Sequence, residues 1–379
     1  MAIKYFNNAG AGLMSKDTYN IIIEHLQREM SIGAYKAAIE KSEDISKFYS
    51  ISANLLHADY PDEIAFIDSA SRGWNLVMYG LSISSKDVIV TLASEYGTNL
   101  LTIYDISYKT GCSVRIIPCD EMGQFNIADV EKELQHGGTI LAVSHVAAQG
   151  SIVNPVAELG KLAANYGAIY IVDGCQAVGQ MPVNLKEINC AAYMTAGRKW
   201  LRGPRGTGIL YVKKGSPIRS PQIDLASSDL VFNKNGSVSG IKIREDAKQF
   251  ELWEKNTASV LGLTNAISEY LLHGEEEATE EILTKANLIR KHISQNKNLQ
   301  LVGSPSATTG VSSFYVRDVS HEDSIKKVLD KNDVIISIIC DWDCPLFFPK
   351  EIKSIFRFSP HYYTSQFDIE KVCKIIDML

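Results

Sequence analysis

Short apolar runs recur between about residue 60 and residue 215, and each run ends in a loop of small or polar residues. Helical stretches often follow these loops, so strands and helices alternate along the chain. Strands this apolar are buried on both faces, which is typical of a mainly parallel sheet covered by helices. The pattern therefore predicts a large α/β domain with a seven-stranded sheet. Its expected strands are Ile64–Ile67, Val88–Ala93, Val114–Pro118, Thr139–Val143, Ala168–Val172, Ala191–Thr195 and Ile209–Val212.

A helix-rich stretch, roughly residues 244–297, follows the last of these runs. From about residue 300 short strands again alternate with helices, which predicts a smaller C-terminal α+β domain. We expect residues 15–255 to form the large domain. Residues 256–379 are expected to form the small domain together with the N-terminal segment 1–14. The expected strands of the small domain are Val311–Val316, Val334–Ile339 and Ile355–Ser359.

The composition is that of an ordinary globular protein. The 379-residue chain is 45% hydrophobic and 22% charged, which excludes intrinsic disorder, collagen and a membrane bundle. With 38 Lys and Arg against 44 Asp and Glu the net charge is −6, which argues against nucleic acid as the main partner. No run of about 18 apolar residues is present, so no membrane partner is expected.

Cysteine usage and the first residues favour a cytoplasmic protein. The seven cysteines are an odd number and are scattered along a long chain, which indicates reduced thiols. The first twelve residues, MAIKYFNNAGAG, carry one Lys and no long apolar core, so they do not resemble a signal peptide.

Polar segments follow the apolar runs, and the C-terminal strand ends of a parallel sheet are where chemistry is usually found. A dinucleotide site is not indicated, because no G-x-G-x-x-G follows a strand and opens a helix, and the phosphate-binding P-loop motif is absent. No metal site is expected, because the eight His do not cluster and Cys340 and Cys344 lack a second Cys or His pair. The polar segments begin at Asp68, Ser94, Ser144, Asp173 and Gly197.

Two charged residues at these strand ends carry the candidate chemistry. Asp173 directly follows the buried run Ala168–Val172, where a carboxylate is unfavourable unless it meets a cation. Lys199 follows the run Ala191–Thr195 and begins a loop rich in Gly and Arg. On residue types alone, an ordinary salt bridge between the two is the simpler interpretation.

The segments around both residues resemble the class V aminotransferase family. The resembling segments are Ile-Val-Asp-Gly-Cys-Gln-Ala-Val-Gly-Gln-Met-Pro-Val-Asn-Leu at 171–185 and Thr-Ala-Gly-Arg-Lys-Trp-Leu-Arg-Gly-Pro-Arg-Gly-Thr-Gly at 195–208. The spacing from Asp173 to Lys199 agrees with the family pattern, and the resemblance covers nearly the whole chain. The family consists of fold type I pyridoxal phosphate enzymes, among them cysteine desulfurases, selenocysteine lyases, isopenicillin N epimerase and related C–S lyases.

The resemblance implies roles around the ring of pyridoxal phosphate. Lys199 would be the amine that condenses with the cofactor aldehyde, and Asp173 would keep the ring nitrogen protonated, so that the ring withdraws electrons from the substrate Cα. Gln176 corresponds to the glutamine that hydrogen-bonds the ring hydroxyl. Tyr96 occupies the position of the residue that stacks on the ring. Family members often have Asn near the ring hydroxyl, and here Gln149 is the remaining candidate.

The cofactor phosphate needs hydroxyls, backbone N–H groups and a helix N-terminus. Ser71, with the N–H of Ala70 beside it, resembles the family's phosphate-binding residue, although an ordinary helix N-cap is also open and both can hold. The common family pattern has a hydroxyl residue three positions before the Lys and a His just before it. Here those positions are Ala196 and Arg198, so Thr195 is the candidate for the missing hydroxyl.

The resemblance also implies a homodimer. In this family a polar residue of the second subunit reaches the phosphate, and Asn256 or Thr257 is the candidate here. A homodimer with shared active sites is therefore expected.

The expected substrate is a small-molecule α-amino acid. Arg357, in Phe-Arg-Phe-Ser-Pro-His-Tyr-Tyr-Thr, resembles the family Arg that binds the substrate α-carboxylate, a role that suits the forked guanidinium. Asn8 resembles the residue beside the same carboxylate. The stretch 218–240, rich in Ser, Asn and Gly, is expected to be a mobile loop that covers the site.

Several reactions stay open with this set of residues: β-elimination, sulfur transfer to a cysteine, epimerisation at Cα and transamination. A desulfurase needs a cysteine upstream of the substrate-binding Arg, and Cys340 and Cys344 are candidates for the persulfide, although lone Cys patterns do not transfer between families. The segment Phe250–Asn256 and the Ser-Pro-His-Tyr-Tyr ending resemble the lyase group. We therefore expect a C–S lyase for cysteine or a cysteine conjugate, with a cysteine desulfurase as the alternative.

A non-catalytic binding protein on the same fold is a further alternative. It is motivated by two departures from the family pattern, Ala148 and Ala196. The presence of Lys199, Asp173 and Arg357 argues against it.

Overall fold

The computed structural model describes residues 3–120, 122–347, 352 and 354–379, so residues 1 and 2 of the predicted N-terminal segment lie outside it. Within these residues no helix is long and apolar enough to cross a bilayer. The helices are α1 (Lys16–Ile32), α2 (Ala34–Glu40), α3 (Ser42–Leu55), α4 (Ala70–Tyr79), α5 (Gly97–Thr110), α6 (Ile127–Gln135), α7 (Val156–Tyr166), α8 (Leu185–Ile188), α9 (Thr257–His273), α10 (Glu275–Gln295), α11 (Glu322–Lys331) and α12 (Gln366–Met378). The strands are β1 (Lys4–Tyr5), β2 (Ile64–Ile67), β3 (Val88–Leu92), β4 (Ser113–Ile117), β5 (Ile140–Ser144), β6 (Ile169–Asp173), β7 (Ala192–Ala196), β8 (Gly208–Val212), β9 (Ser228–Phe232), β10 (Val238–Ile243), β11 (Leu299–Val302), β12 (Ser312–Val316), β13 (Val334–Ile335), β14 (Ser337–Ile339) and β15 (Ile355–Phe358).

A seven-stranded sheet forms the centre of the large domain, with the strand order β2-β8-β7-β6-β5-β3-β4. Parallel pairing connects β4, β3, β5, β6 and β7. Strand β8 is antiparallel to both of its neighbours, β2 and β7. The prediction of an α/β fold with a mainly parallel seven-stranded sheet is confirmed.

Successive residues of the central strands face two separate apolar cores. In β6, Tyr170 and Val172 pack into the core on one face of the sheet, whereas Ile171 packs into the core on the other. In β7, Tyr193 packs into the first of these cores and Met194 into the second. Because both faces are covered, these strands are apolar except for Asp173 at the end of β6 and Thr195 in β7, which explains why apolar runs mark them in the sequence.

A second sheet, with the antiparallel order β11-β12-β15-β14, forms the small domain. Apolar residues of α10 and α12 pack against it. The N-terminal segment lies alongside, because β1 pairs in parallel with β13 and Asn7 forms an isolated bridge with Ser359. The expected division of the chain after residue 255 stays a prediction.

Two details of the sequence interpretation are corrected. Part of the predicted loop 218–240 forms an antiparallel hairpin of β9 and β10, closed by the turn at 233–237, in which Gly236 has a φ of 83°. The predicted strand Val334–Ile339 is two strands, because its first half pairs with β1 and its second half with β15. Both corrections concern pairings with partners that a local pattern does not identify.

Candidate active site

A cavity of about 260 Å³ lies at the C-terminal edge of the parallel strands. Its walls include Tyr96 after β3, Ser144 at the end of β5, Asp173 at the end of β6 and Lys199 after β7. The parallel topology therefore brings together residues that are far apart in the sequence, at the sheet edge where ligands of such folds bind.

Asp173 presents a buried carboxylate to this cavity. Its Oδ1 accepts a hydrogen bond from the N–H of Cys175 at 2.9 Å, and its Oδ2 accepts one from Nδ2 of Asn99 at 2.9 Å. Burial raises the pKa of this carboxyl, and the positive charge of Lys199 opposes the rise. A cationic group bound in the cavity would stabilise the ionised form of Asp173.

Lys199 lies in the turn between β7 and β8, and backbone hydrogen bonds hold this turn in place. The N–H of Gly203 donates to the carbonyl of Gly197 at 2.8 Å, and the N–H of Arg202 donates to the carbonyl of Lys199 at 3.0 Å. The N-terminal segment also contacts the turn, because the N–H of Gly12 donates to the carbonyl of Arg198 at 2.7 Å. The Lys199 backbone is therefore fixed from both sides.

Tyr96 and Gln176 complete the wall around Asp173. Tyr96 occupies the N-cap position of α5, is half-buried, and has its pKa raised by burial. Gln176 is buried, and its amide donates to the carbonyl of Ala9 at 3.0 Å and accepts from the indole N–H of Trp200 at 3.0 Å. The NH₂ and the carbonyl oxygen of the Gln176 amide therefore each have a partner within the protein, and Gln176 also lines the cavity.

Part of the cavity lining is suited to an anion. Helix α4 begins with Ser69 as its N-cap, and Ser69 lines the cavity together with Ala70 and Ser71 of the first turn. Two guanidinium groups, Arg198 and Arg205, line the same cavity. A helix N-terminus, hydroxyl groups and two cations are together an arrangement that binds phosphate.

These residues fit pyridoxal phosphate. The cavity has an amine at Lys199, a buried carboxylate at Asp173 for a protonated ring nitrogen, and an aromatic side chain at Tyr96. Arg198 and Arg205 add the positive charge that a phosphate requires. Once bound, the cofactor would offset the burial of the Asp173 carboxylate.

Two predicted cofactor contacts lie away from the cavity wall. Gln149 is buried next to it, and its Nε2 donates to the carbonyl of Ser94 at 3.2 Å. The hydroxyl of Thr195 is buried within β7 and has no hydrogen-bond partner among the described residues. Both assignments stay predictions.

Asn256 and Thr257 lie at the start of α9, outside the cavity that contains Lys199. Oδ1 of Asn256 caps the helix by accepting from the N–H of Ser259 at 2.9 Å. Both residues line a separate surface depression, which Trp253 also lines. Within one chain they do not reach the cofactor cavity.

Arg357 projects from the small domain toward the cavity wall. It is 6% exposed; its Nη1 donates to the carbonyl of Ala148 at 2.5 Å and its Nη2 donates to the hydroxyl of Ser337 at 3.0 Å. Its Nε has no partner, and no carboxylate forms an ion pair with it, in the part of the chain that the structure describes. Burial lowers the pKa of Arg357 to about 10, so the group is still cationic at neutral pH.

Asn8, the second expected substrate contact, belongs to the N-terminal segment and is buried against the small domain. Its amide donates to the carbonyl of Ser359 at 2.7 Å and accepts from the hydroxyl of Tyr363. The NH₂ and the oxygen of this amide therefore both have partners within the chain. The role of Asn8 at the substrate stays a prediction.

The two candidate cysteines differ in their surroundings. Cys344 is fully buried, and its Sγ donates to Oε1 of Gln149 at 2.9 Å. Burial raises the pKa of its thiol, whereas the charge of Arg357 opposes the rise. Cys340 is half-buried, and its pKa is also raised by burial. The structure thus brings Cys344, and not Cys340, into contact with a residue predicted to lie at the cofactor.

Some residues of the site were not among the predicted ones. Arg205 and Cys175 line the cavity, and Glu95 and Asn99 lie behind Asp173. The polar loops that contain Arg205, Cys175 and Glu95 were recognised in the sequence, but loop composition does not tell which side chains of a loop face a cavity. Asn99 lies in α5, outside those segments.

The Aminotransferase class-V family profile matches residues 5–372. The chain belongs to this family. The predicted resemblance is therefore confirmed, and pyridoxal phosphate is the cofactor of this enzyme.

Similar proteins carry sulfur-related names. A probable cysteine desulfurase of Pyrococcus abyssi is 26% identical over 99% of this chain and 94% of its own length. A cysteine desulfurase of Yersinia pseudotuberculosis is 25% identical over 90% of this chain and 83% of its own length.

Solved structures establish the same fold. An apo cysteine desulfurase from Thermococcus onnurineus superimposes with a TM-score of 0.89 at 24% identity, covering 99% of this chain and 94% of the other. A cystine C–S lyase in complex with its product cysteine persulfide superimposes with a TM-score of 0.84 at 22% identity, covering 99% and 97%. The fold is that of pyridoxal phosphate enzymes of fold type I.

Proposed function

We propose that the chain is a cysteine desulfurase that transfers the sulfur of L-cysteine to the thiol of Cys344. One observation carries this proposal: Sγ of Cys344 contacts Gln149, and the preceding residue, Ala148, accepts the hydrogen bond of Arg357. The thiol and the guanidinium, which has no carboxylate partner among the described residues, therefore contact two adjacent residues, of which Ala148 lines the cofactor cavity. The names of the similar proteins support the same reaction.

Arg357 binds the substrate carboxylate in this proposal. Its guanidinium is already oriented by Ala148 and Ser337, and it lacks a carboxylate partner among the described residues. A buried cation without a counter-ion is unfavourable, so an anionic ligand there removes a cost. The forked donors of Arg suit a carboxylate, and this contact selects α-amino acids.

Bound pyridoxal phosphate supplies an electron-withdrawing ring that stabilises negative charge on the carbon atoms of the substrate. Asp173 would hold the ring nitrogen in its protonated form, and Tyr96 would pack against the ring. The amine of Lys199 would take the proton from Cα of the substrate. Ser69, Ser71 and the N-terminus of α4 would hold the phosphate.

Sulfur transfer balances without an added oxidant. The sulfur of Cys344 forms a bond to the substrate sulfur while the bond between that sulfur and Cβ breaks. The electron pair of the broken bond stays with Cβ, which takes up the proton given by the Cys344 thiol. Lys199 returns the proton to Cα, so the products are a persulfide on Cys344 and alanine; the sulfur is oxidised and the carbon is reduced.

A second candidate is β-elimination by a C–S lyase, the reaction that the sequence segments favoured. The burial of Cys344 supports it, because a buried thiol with a raised pKa is a poor nucleophile. In that reaction Cys344 does not react, and the products are pyruvate, ammonia and a sulfur compound.

A homodimer is part of the proposal. Asn256 and Thr257 lie outside the cavity of their own chain, next to exposed apolar side chains, Leu225 and Trp253. A second copy placed on this surface covers those side chains and brings Asn256 or Thr257 toward the phosphate of the partner's site. A cytoplasmic location, which keeps Cys344 reduced, completes the proposal.

The persulfide can be located directly. The cofactor-loaded protein is given L-cysteine without reductant, alkylated, digested and analysed by mass spectrometry. We expect one added sulfur atom on the peptide with Cys344. Cys344→Ser abolishes it, and Cys340→Ser, the matched control in the same loop, retains it. An unmodified Cys344 during turnover would refute the desulfurase proposal.

A further inference from the structure

A second buried carboxyl group, that of Glu95, lies behind Asp173. Glu95 follows β3, is 1% exposed, and has a side chain that crosses to the end of β5. Four donors converge on its two oxygens: the N–H of Tyr96 at 2.9 Å, the N–H of Ser144 at 2.7 Å, the Ser144 hydroxyl, and Nδ2 of Asn99 at 2.8 Å. This set of donors holds the side chain in one orientation.

Asn99 connects this carboxyl group to Asp173. A single atom, its Nδ2, lies 2.8 Å from Oε1 of Glu95 and 2.9 Å from Oδ2 of Asp173. Both carboxylates can only accept hydrogen bonds, so both require the NH₂ group of Asn99, and not its amide oxygen, to face them. Without Glu95 the Asn99 amide loses one of the two acceptors that orient it, and only Asp173 still holds its NH₂ group.

The sheet register makes this connection rigid. Ser144 and Asp173 are direct partners in the parallel ladder of β5 and β6. Glu95 is bound to the backbone and side chain of Ser144, so it is anchored to the strand next to the one that ends in Asp173. A change at Glu95 therefore acts on the orientation of Asp173 through one residue, Asn99.

We propose that Glu95 is a positioning residue which, through Asn99, fixes the Asp173 carboxylate at the ring nitrogen of pyridoxal phosphate and keeps the proton on that nitrogen. The inference rests on the role proposed above for Asp173. It goes beyond that role because it identifies what holds the carboxylate in place.

The charges around this pair agree with the proposal. Burial, together with a smaller contribution from the charge of Asp173, raises the pKa of Glu95 to about 7. Lys199 opposes the pKa rise of Asp173, and the other titratable groups whose charges interact across this part of the site include Cys344, Arg357, Tyr96, Asp343 and Cys175. A protonated ring nitrogen adds a positive charge that stabilises both carboxylates.

Asn99→Ala is the decisive variant. It removes the bridge while Glu95 keeps its donors from Tyr96 and Ser144, and Ala is a good helix former in α5. The matched control is Thr102→Val, which removes a buried hydrogen bond to Asn75 from the same helix without touching the pair. Glu95→Gln tests the other end of the connection.

Each variant is reconstituted with pyridoxal phosphate labelled with ¹⁵N in the ring. We expect Asn99→Ala and Glu95→Gln to raise the Kd of the cofactor roughly tenfold or more. We also expect both to move the ¹⁵N resonance toward that of an unprotonated pyridine. Thr102→Val should leave the Kd and the resonance unchanged, although it lowers the melting temperature.

The proposal is overturned if Asn99→Ala has the same cofactor Kd and the same ¹⁵N resonance as the wild type. It is also overturned if Thr102→Val changes both readouts as much as Asn99→Ala does. It is also overturned if Asn99→Ala moves them while a folded Glu95→Gln does not, because Glu95 would then have no part in holding Asp173. The measurement detects the bound cofactor and no product. Its result is therefore independent of whether the enzyme releases alanine or pyruvate.

Discussion

The thiol of Cys344 donates a hydrogen bond of 2.9 Å to Oε1 of Gln149, across 195 positions of sequence. This contact joins the loop after β14 in the small domain to the loop after β5 in the large domain. The next contact along the same wall is the hydrogen bond from Arg357 to Ala148. The proposed sulfur acceptor and the proposed carboxylate-binding residue are therefore held by two adjacent residues.

Replacing Arg357 by Lys should raise the KM for L-cysteine roughly 10- to 100-fold, with a smaller effect on kcat. The reason is the loss of a forked, charge-assisted contact with the substrate carboxylate. Steady-state kinetics measure the effect, and Arg317→Lys, at an exposed position after β12, is the control. An unchanged KM would remove Arg357 from the substrate site.

Replacing Lys199 by Ala should abolish covalent attachment of the cofactor. Borohydride reduction followed by mass spectrometry should fix the cofactor to the wild-type chain and not to the variant. Turnover should fall by roughly 10²- to 10⁴-fold or more, because the base at Cα is also lost. Lys213 is exposed, follows β8 and donates a hydrogen bond to Asn189, so it is the control, and Lys213→Ala should behave as the wild type.

Gly97 is predicted to fix the position of the loop that carries Cys344. A Cβ on Gly97 would overlap the carbonyl oxygen of Trp342 in that loop. Gly97→Ala should therefore displace the loop and slow sulfur transfer about tenfold or more, with little effect on cofactor binding. Gly240→Ala, where a Cβ meets no atom within 4 Å, is the control. Equal rates for both variants would contradict this role of Gly97.

The pKa of Glu95 predicts a pH dependence of stability in the cofactor-free protein. Burial raises this pKa from 4.5 to about 7, so the stability that this group contributes is fully present below about pH 4.5 and is lost as the pH rises through 7. The loss amounts to at most about 3 kcal/mol.

Denaturant unfolding at several pH values measures this effect. Glu95→Gln, which does not titrate, should flatten the decline between pH 4.5 and 7. His145, whose pKa is lowered to about 4 by burial, titrates alike in both proteins and cancels in the difference, whereas Asp173 is coupled to Glu95 and contributes to that difference. Parallel curves for wild type and variant would show that Glu95 has an ordinary pKa.

Much of the cofactor site could be predicted because it follows from strand ends. Asp173 comes directly after one apolar run, and Lys199 lies in the loop that follows another. Parallel pairing brings such strand ends together whatever lies between them. The position of Ser71 followed similarly from a polar segment before a helix. Local patterns therefore predict site residues where the parallel topology of the sheet brings strand ends together.

Other features depend on contacts between distant segments. No local pattern indicates that Cys344 rather than Cys340 faces Gln149, or that Asn99 bridges two carboxyl groups. The hairpin of β9 and β10 was interpreted as a loop because its strands are short, exposed and not apolar throughout. In each case the deciding interaction is with a partner that the segment itself does not specify.

Product identification tests the central claim most directly. The cofactor-loaded enzyme is incubated with L-cysteine and dithiothreitol, and the three-carbon product is identified by mass spectrometry, with Cys344→Ser and Cys340→Ser in parallel. The account predicts alanine and sulfide from the wild type and Cys340→Ser, and no alanine from Cys344→Ser. Pyruvate and ammonia, formed equally well by all three proteins, would contradict it and identify a lyase.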